Sequence, residues 1–249
     1  MQMKDAMGHL IEAGSIKVYR VSPQQEFAGY EMRFLDECAL QEILDLQDLI
    51  AQGLPSPEIF RLHDEDYFRS LLESERSFIG VIVGEHLIAY SLIFIPGEGE
   101  ENLGRDVGLP EDELKSVAHL QAAVVHHAYR GNGLQRRMGA AHLRVIEEKG
   151  FKHVLCTVSP KNPFSLRNIL SNGLVIRGLK PKFEGAWRYI MYKNLRHPVI
   201  FQHETVSIMG SNIEGQVDLL SRGYQGFNIK PLSADFEVCY GLGGISRFE

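Results

Sequence analysis

The sequence predicts a mixed α/β domain, on three observations. Apolar stretches with period-two patterning alternate along the chain with amphipathic helical stretches, the pattern of a sheet covered by helices. A strand over residues 116–125 runs through a glycine-rich turn straight into a helix over 134–149. The chain has 249 residues, 44% of them apolar, enough to bury a sizeable core in one large or two small domains.

The elements follow in order. Residues 30–35 read as a strand, and 39–51 carry Leu40, Ile43, Leu44 and Leu46 at helical spacing until Leu54-Pro-Ser-Pro57 stops the helix. A second helix spans 64–72, with Asp64 as cap and Tyr67, Phe68, Leu71 and Leu72 as its buried stripe. Residues 78–83 and 87–95 form a hairpin about Gly84-Glu-His86, where glycine makes a positive φ cheap. The acid-rich stretch 96–115 reads as a solvated loop, with an acidic lip for a cationic substrate as its functional alternative.

The strand 116–125, the glycine turn and the helix 134–149 come next, with Leu134, Met138, Ala141 and Val145 as the helix stripe and Gly150 at its end. A strand at 153–158, a helix from Asn162 or Ser165 to Asn172-Gly173, and a strand at 187–192 complete the regular pattern. The remainder, 199–249, reads as a β-α-β extension with a helix over 213–220 and a last strand near 236–240, and no internal repeat is read.

Composition excludes several classes. Acidic residues outnumber basic ones, 32 to 26, for a formal charge of −6 without a Lys/Arg block, so nucleic acid is not an expected partner. The apolar runs fall far short of the roughly 20 residues a membrane span needs, and residues near Met1 form no signal core, so a cytoplasmic protein without a membrane partner is expected. Cys38, Cys156 and Cys239 are widely spaced, which suggests neither disulfides nor zinc; Cys156 reads as a core thiol. His126 and His127, taken as strand neighbours, point opposite ways and share no metal.

The chemistry concentrates at Arg130-Gly-Asn-Gly-Leu-Gln135. Where a strand enters a helix through such a bend, the first helical N–H groups point outward and the dipole favours an anion; Gly131 and Gly133 leave no Cβ in the way, so a diphosphate fits. A P-loop is excluded because Leu134 and Gln135 follow Gly133 where Lys-Ser/Thr is required. A dinucleotide fold lacks its third glycine, Arg136 standing there, and its ribose acid.

The same segment, preceded by Val124-Val-His-His-Ala-Tyr129, resembles the pyrophosphate motif Arg/Gln-x-x-Gly-x-Gly/Ala of the GCN5-related N-acetyltransferase (GNAT) family, with Gln135 in place of the usual Gly or Ala. Asn162-Pro-Phe-Ser165 leading to Asn172-Gly-Leu174 is similar to the family's second segment. The resemblance covers about 30–195 and implies a splayed mixed β-sheet flanked by helices, a domain at 30–196 after an N-terminal extension at 1–29, and a C-terminal extension at 197–249 that completes the sheet or makes a subunit contact in a homodimer.

It implies acetyl-CoA as cosubstrate, held by the backbone of Ala123, Val124 and Val125 at the pantetheine arm, by Arg130, Gly131, Asn132, Gly133, Leu134 and Gln135 at the diphosphate, and by Asn162 from the following helix. It implies acetyl transfer to a small-molecule or peptide amine by direct attack, without a metal, and places His119 where many members carry a catalytic glutamate base; a neutral imidazole can do that work. Gln121 on the same face can only orient. The family's acidic tyrosine falls at Ile169, which leaves water, Tyr189 or Tyr192 to protonate the thiolate. The alternative is a catalytically weak acyl-CoA-binding module that acts through its C-terminal extension.

Overall fold

The structure is a computed structural model that describes residues 8–19 and 26–245. The chain divides into two compact units, Met1–Phe94 with Leu120–Val145, and Ile95–His119 with Ile146–Glu249.

In the first unit β1 (Leu10–Val18) pairs with β2 (Glu26–Leu35), followed by helices α1 (Leu40–Gln52) and α2 (Glu65–Leu72) and the hairpin β3 (Phe78–Val83) and β4 (His86–Phe94). The four strands are antiparallel in the order β1-β2-β3-β4. Alternation along β3 explains why both faces are covered. Phe78 and Ile82 point to one side, where they join Ile43, Leu46 and Ile50 of α1 and Phe68 and Leu72 of α2. Ile79 and Val81 point to the other, against Leu134, Met138 and Ala141 of α3 (Leu134–Glu148). Asp64 caps α2 as the sequence predicts, accepting from Tyr67 N at 2.8 Å. The hairpin turns in two residues, Gly84 with φ of 63° and Glu85, between the paired Val83 and His86.

β5 (Val117–Val125) belongs to both units, residues 117–119 to the second. There Val117, Ala118 and His119 pair in parallel with His153, Val154 and Leu155 of β6 (His153–Val158). The chain continues through α4 (Pro163–Ser171), β7 (Val175–Lys182), β8 (Ala186–Asn194), β9 (Val199–Met209), α5 (Ile213–Ser221), β10 (Tyr224–Pro231) and β11 (Phe236–Ile245). The strands of this unit run β6-β8-β7-β10-β11-β9, every neighbouring pair antiparallel.

Three expectations change. β1 is a strand in the stretch read as an N-terminal extension, and the tail is β-α-β-β, with β10 added. β7 and β10 escape a reading by alternation because each carries a bulge, at Ile176/Gly178 and Gly226/Asn228, that breaks the period of two. The tail also follows the order strand, helix, strand, strand of the residues before it. Finally, the stretch 96–115 is not a solvated loop. Asn102, 1% exposed, donates to the carbonyls of Gly97 (2.6 Å) and Leu114 (2.9 Å) and accepts from Gly104 N (2.8 Å). Around it Leu103 packs with Val117, Leu155 and Ile190, and Val107 and Leu109 pack against them. One side chain thus satisfies three main-chain groups that would otherwise be desolvated without partners.

Asn102→Ala is expected to cost about 2–4 kcal/mol, because it strands buried donors and acceptors; urea unfolding of the purified chain checks this.

Candidate functional site

The glycine bend lies wholly in the first unit. β5 ends at Val125, His126 N donates to Ile88 O of β4 at 2.8 Å, and a 3-10 turn, His127–Tyr129, leads to Arg130. Because the chain has left the strand, His126 and His127 do not alternate: their rings stack, with centroids 4.2 Å apart. His126 Nδ1 accepts from Ala128 N, and among the described residues no group of three or more His, Cys, Asp or Glu is placed to hold a metal ion.

Gly131 (φ 80°) and Gly133 (φ 68°) both sit in the left-handed region, and a Cβ at Gly133 would meet nothing within 4 Å. Arg137 N donates back to Gly133 O at 3.0 Å, which starts α3; the amides of Leu134, Gln135 and Arg136 lie ahead of that bond. Leu134 is buried and anchors the first turn, while Arg130 is exposed beside the bend.

Between the glycines, Asn132 is tied to β1. Its side chain accepts from Lys17 N (2.9 Å) and donates to Lys17 O (2.8 Å) and Tyr129 O (3.0 Å). Tyr19 N donates to Ala128 O at 2.7 Å, and the Tyr19 ring lies 3.5 Å from where a Gly131 Cβ would be. Arg137 in the first turn of α3 pairs with Glu12 of β1 and lies over the Tyr30 ring, 4.8 Å from its centroid. These partners of the bend, Lys17 and Tyr19 above all, were not read from the sequence, and a contact spanning 115 residues leaves no local signal.

His119 and Asn162 belong to the second unit. His119 is 3% exposed on β5, and its Nε2 accepts from Leu103 N at 3.2 Å. Burial, with help from Lys182 and against Asp106, pushes its pKa down to about 4, so it is neutral at pH 7. Asn162 caps α4, accepting from Ser165 N at 3.0 Å. Ile169 is buried in the same helix.

The two tyrosines considered as acids are both engaged. Tyr189 is fully buried and donates to Gln216 Oε1 at 2.8 Å, and burial raises its pKa. Tyr192 shares a hydrogen bond with His153 Nδ1 at 3.0 Å, and His153 Nε2 lies 3.2 Å from Glu113. Cations of the same unit also answer the acids of the 96–115 stretch. Asp106 pairs with Lys180 (3.3 Å) and Lys182 (2.5 Å), Glu111 with Arg105, and Glu113 with Lys152 (3.2 Å). These three carboxylates are paired, while Glu98, Glu100, Glu101 and Asp112 of the same stretch lie exposed.

No family sequence model matches the chain, and no curated protein is similar to it in sequence. Solved structures are similar in fold. The yncA protein of Salmonella typhimurium, solved with acetyl-CoA, aligns at a TM-score of 0.52 and 16% identity over 67% of this chain and 94% of that one. A GNAT-family acetyltransferase from Streptococcus pneumoniae aligns at 0.51 and 13% identity over 66% and 98%. A chain of the NatC complex, solved with Gag peptide and CoA, aligns at 0.52 and 11% over 67% and 98%. The chain has the fold of the GCN5-related N-acetyltransferases. No helix among the described residues is long and apolar enough to cross a membrane.

Three histidines make the stability of the fold depend on pH. His119, His142 and His63 all have folded pKa values pushed down to about 4, chiefly by burial. The unfolded chain takes up these protons near pH 6.5, about the value of a free imidazole, before the folded chain does. Stability is therefore full above about pH 6.5 and falls as pH drops from there toward 4. Thermal melts across that window should show the decline, and His119→Gln, which keeps an acceptor for Leu103 N, should make it shallower.

Proposed function

We propose that the chain is an N-acetyltransferase that moves an acetyl group from acetyl-CoA to an amine by direct attack in a ternary complex. The observation that carries this reading is the bend at Gly131 to Gln135, two left-handed glycines at a helix start, on a fold shared with acetyltransferases. It fits the coenzyme's diphosphate on two counts. The space beyond Gly133 is open, and main-chain amides at a helix start favour negative charge. Asn132 serves by holding the bend to β1, and Arg130, Gly131, Gly133, Leu134 and Gln135 face the diphosphate. The main chain of Ala123, Val124 and Val125 holds the pantetheine arm.

In the reaction the amine nitrogen bonds to the acetyl carbon, the carbon–sulfur bond breaks, and the amine's proton leaves. The coenzyme supplies a thioester, and this chemistry calls for no metal. His119 is the proposed base. It is neutral at pH 7, but its Nε2 lone pair faces Leu103 N, so taking a proton there requires that hydrogen bond to open first. A thiolate, with a thiol pKa of about 8.5, leaves tolerably without an acid. Ile169 therefore slows the reaction without forbidding it.

A second reading, a catalytically weak acyl-CoA-binding module, draws on Ile169 and on Tyr189 and Tyr192 being engaged elsewhere. The acceptor is an amine of a small molecule or peptide. We place the catalytic domain at residues 30–196 and the protein in the cytoplasm.

Gly133→Trp is expected to abolish coenzyme A binding measured by calorimetry, and retained binding would remove the bend from the site. His119→Ala is expected to lower turnover about a hundredfold, the scale of a lost general base, with little change in acetyl-CoA affinity. Release of free thiol from acetyl-CoA with a panel of amines separates the two readings, since binding without turnover on any of them points to the module.

A further inference from the structure

We infer that the last fifty residues are a second copy of the preceding fifty, and that this copy acts as a built-in partner, covering the β7 edge where a second molecule would otherwise pair. The inference is independent of the acetyl-transfer reading. β9-α5-β10-β11 follows β6-α4-β7-β8 element for element. At an offset of fifty positions, His153, Asn162, Leu170, Ser171, Gly173, Lys180 and Pro181 recur as His203, Asn212, Leu220, Ser221, Gly223, Lys230 and Pro231.

Register is a stricter test than identity, because a slip of one residue turns every side chain to the other face. In the first copy Ile176 pairs with Met191, a bulge follows, and Gly178 pairs with Ile190. In the second Gly226 pairs with Tyr240, a bulge follows at the same place, and Asn228 pairs with Cys239. The pairs Thr157 with Ile190 and Val158 with Tyr189 recur as Ser207 with Cys239 and Ile208 with Val238. Each helix is capped by its asparagine, Asn162 on Ser165 N at 3.0 Å and Asn212 on Gly215 N at 2.9 Å. Each ends at a left-handed glycine, Gly173 with φ of 81° and Gly223 with φ of 86°.

The copies meet as two identical molecules would. β7 and β10 are antiparallel, and Ile176 lies opposite Gly226, its own counterpart fifty positions on. Only a twofold axis between the copies sets equivalent residues face to face, and the strand order β6-β8-β7, β10-β11-β9 reads the same outward from that axis. Two features fit one copy to the other. A Cβ on Gly226 would lie 3.0 Å from Ile176 Cβ, so the second copy carries glycine where the first carries isoleucine. Tyr189 of the first copy and Tyr240 of the second both donate to Gln216 Oε1, at 2.8 and 2.9 Å, among buried groups. Asn212 caps its helix as Asn162 caps the first.

A strand edge with unpaired main-chain groups is a template for association, and here the chain fills it from within. The test uses the full chain with Ile176→Cys and Gly226→Cys and with exposed Cys38→Ser. Mild oxidation should join positions 176 and 226 within one chain, identified by peptide mapping and by monomer mass without reductant. Disulfide-linked dimers, or no bond at all, would overturn the inference. Sedimentation velocity of the unmodified chain keeps the test open should the variant misfold: a monomer from micromolar to tenth-millimolar concentration is expected, and a dimer would overturn it.

Discussion

The amide of Asn132 is the constraint on which the rest depends. Two left-handed glycines in three residues give a bend its sharpness and also leave it floppy, because glycine surrenders the most conformational freedom on ordering. Asn132 fixes the bend by closing a two-way hydrogen bond on Lys17 of β1, with Tyr129 O as a third partner. The β1–β2 pair is thus more than an added edge: it is the wall to which the glycine bend is fastened. Arg137, paired with Glu12 and lying over Tyr30, ties the first turn of α3 to the same wall.

Where a sequence signal is local, it was legible. The α2 cap, the Gly84 hairpin and the strand-bend-helix from β5 to α3 rest on residues within a few positions of one another and are found as read, and of the two starts offered for α4 the cap is Asn162. What escaped is non-local. β1 is half exposed, with Ile16 and Val18 its buried residues, so its alternation is faint and its partners lie across the hairpin. The order of the 96–115 stretch turns on one buried asparagine among many acids, which composition cannot separate from a solvated loop. The repeat is diluted to a few identities and is decisive only in register.

Site residues divide along the same line. The bend was legible because glycine and helix-start physics are local. The surroundings of His119 were not: its hydrogen bond to Leu103 and its burial come from a segment that folds back over it. Burial gives the ring the neutral form a base requires, and the same packing occupies the nitrogen that would take the proton. The proposed role of His119 as base would therefore draw on motion of residues near Leu103.

Gln216 carries a consequence for how the C-terminal half unfolds. Its one oxygen receives a phenol from each half of the duplication, and its nitrogen donates to Gly210 O at 2.9 Å. Parting the halves would leave the buried Tyr189 hydroxyl without its acceptor, because Gln216 and Tyr240 both stay with the second half, and the first half cannot meet that penalty alone. The first half is therefore coupled to the second through Tyr189, and a fragment ending between the two halves forfeits that bond.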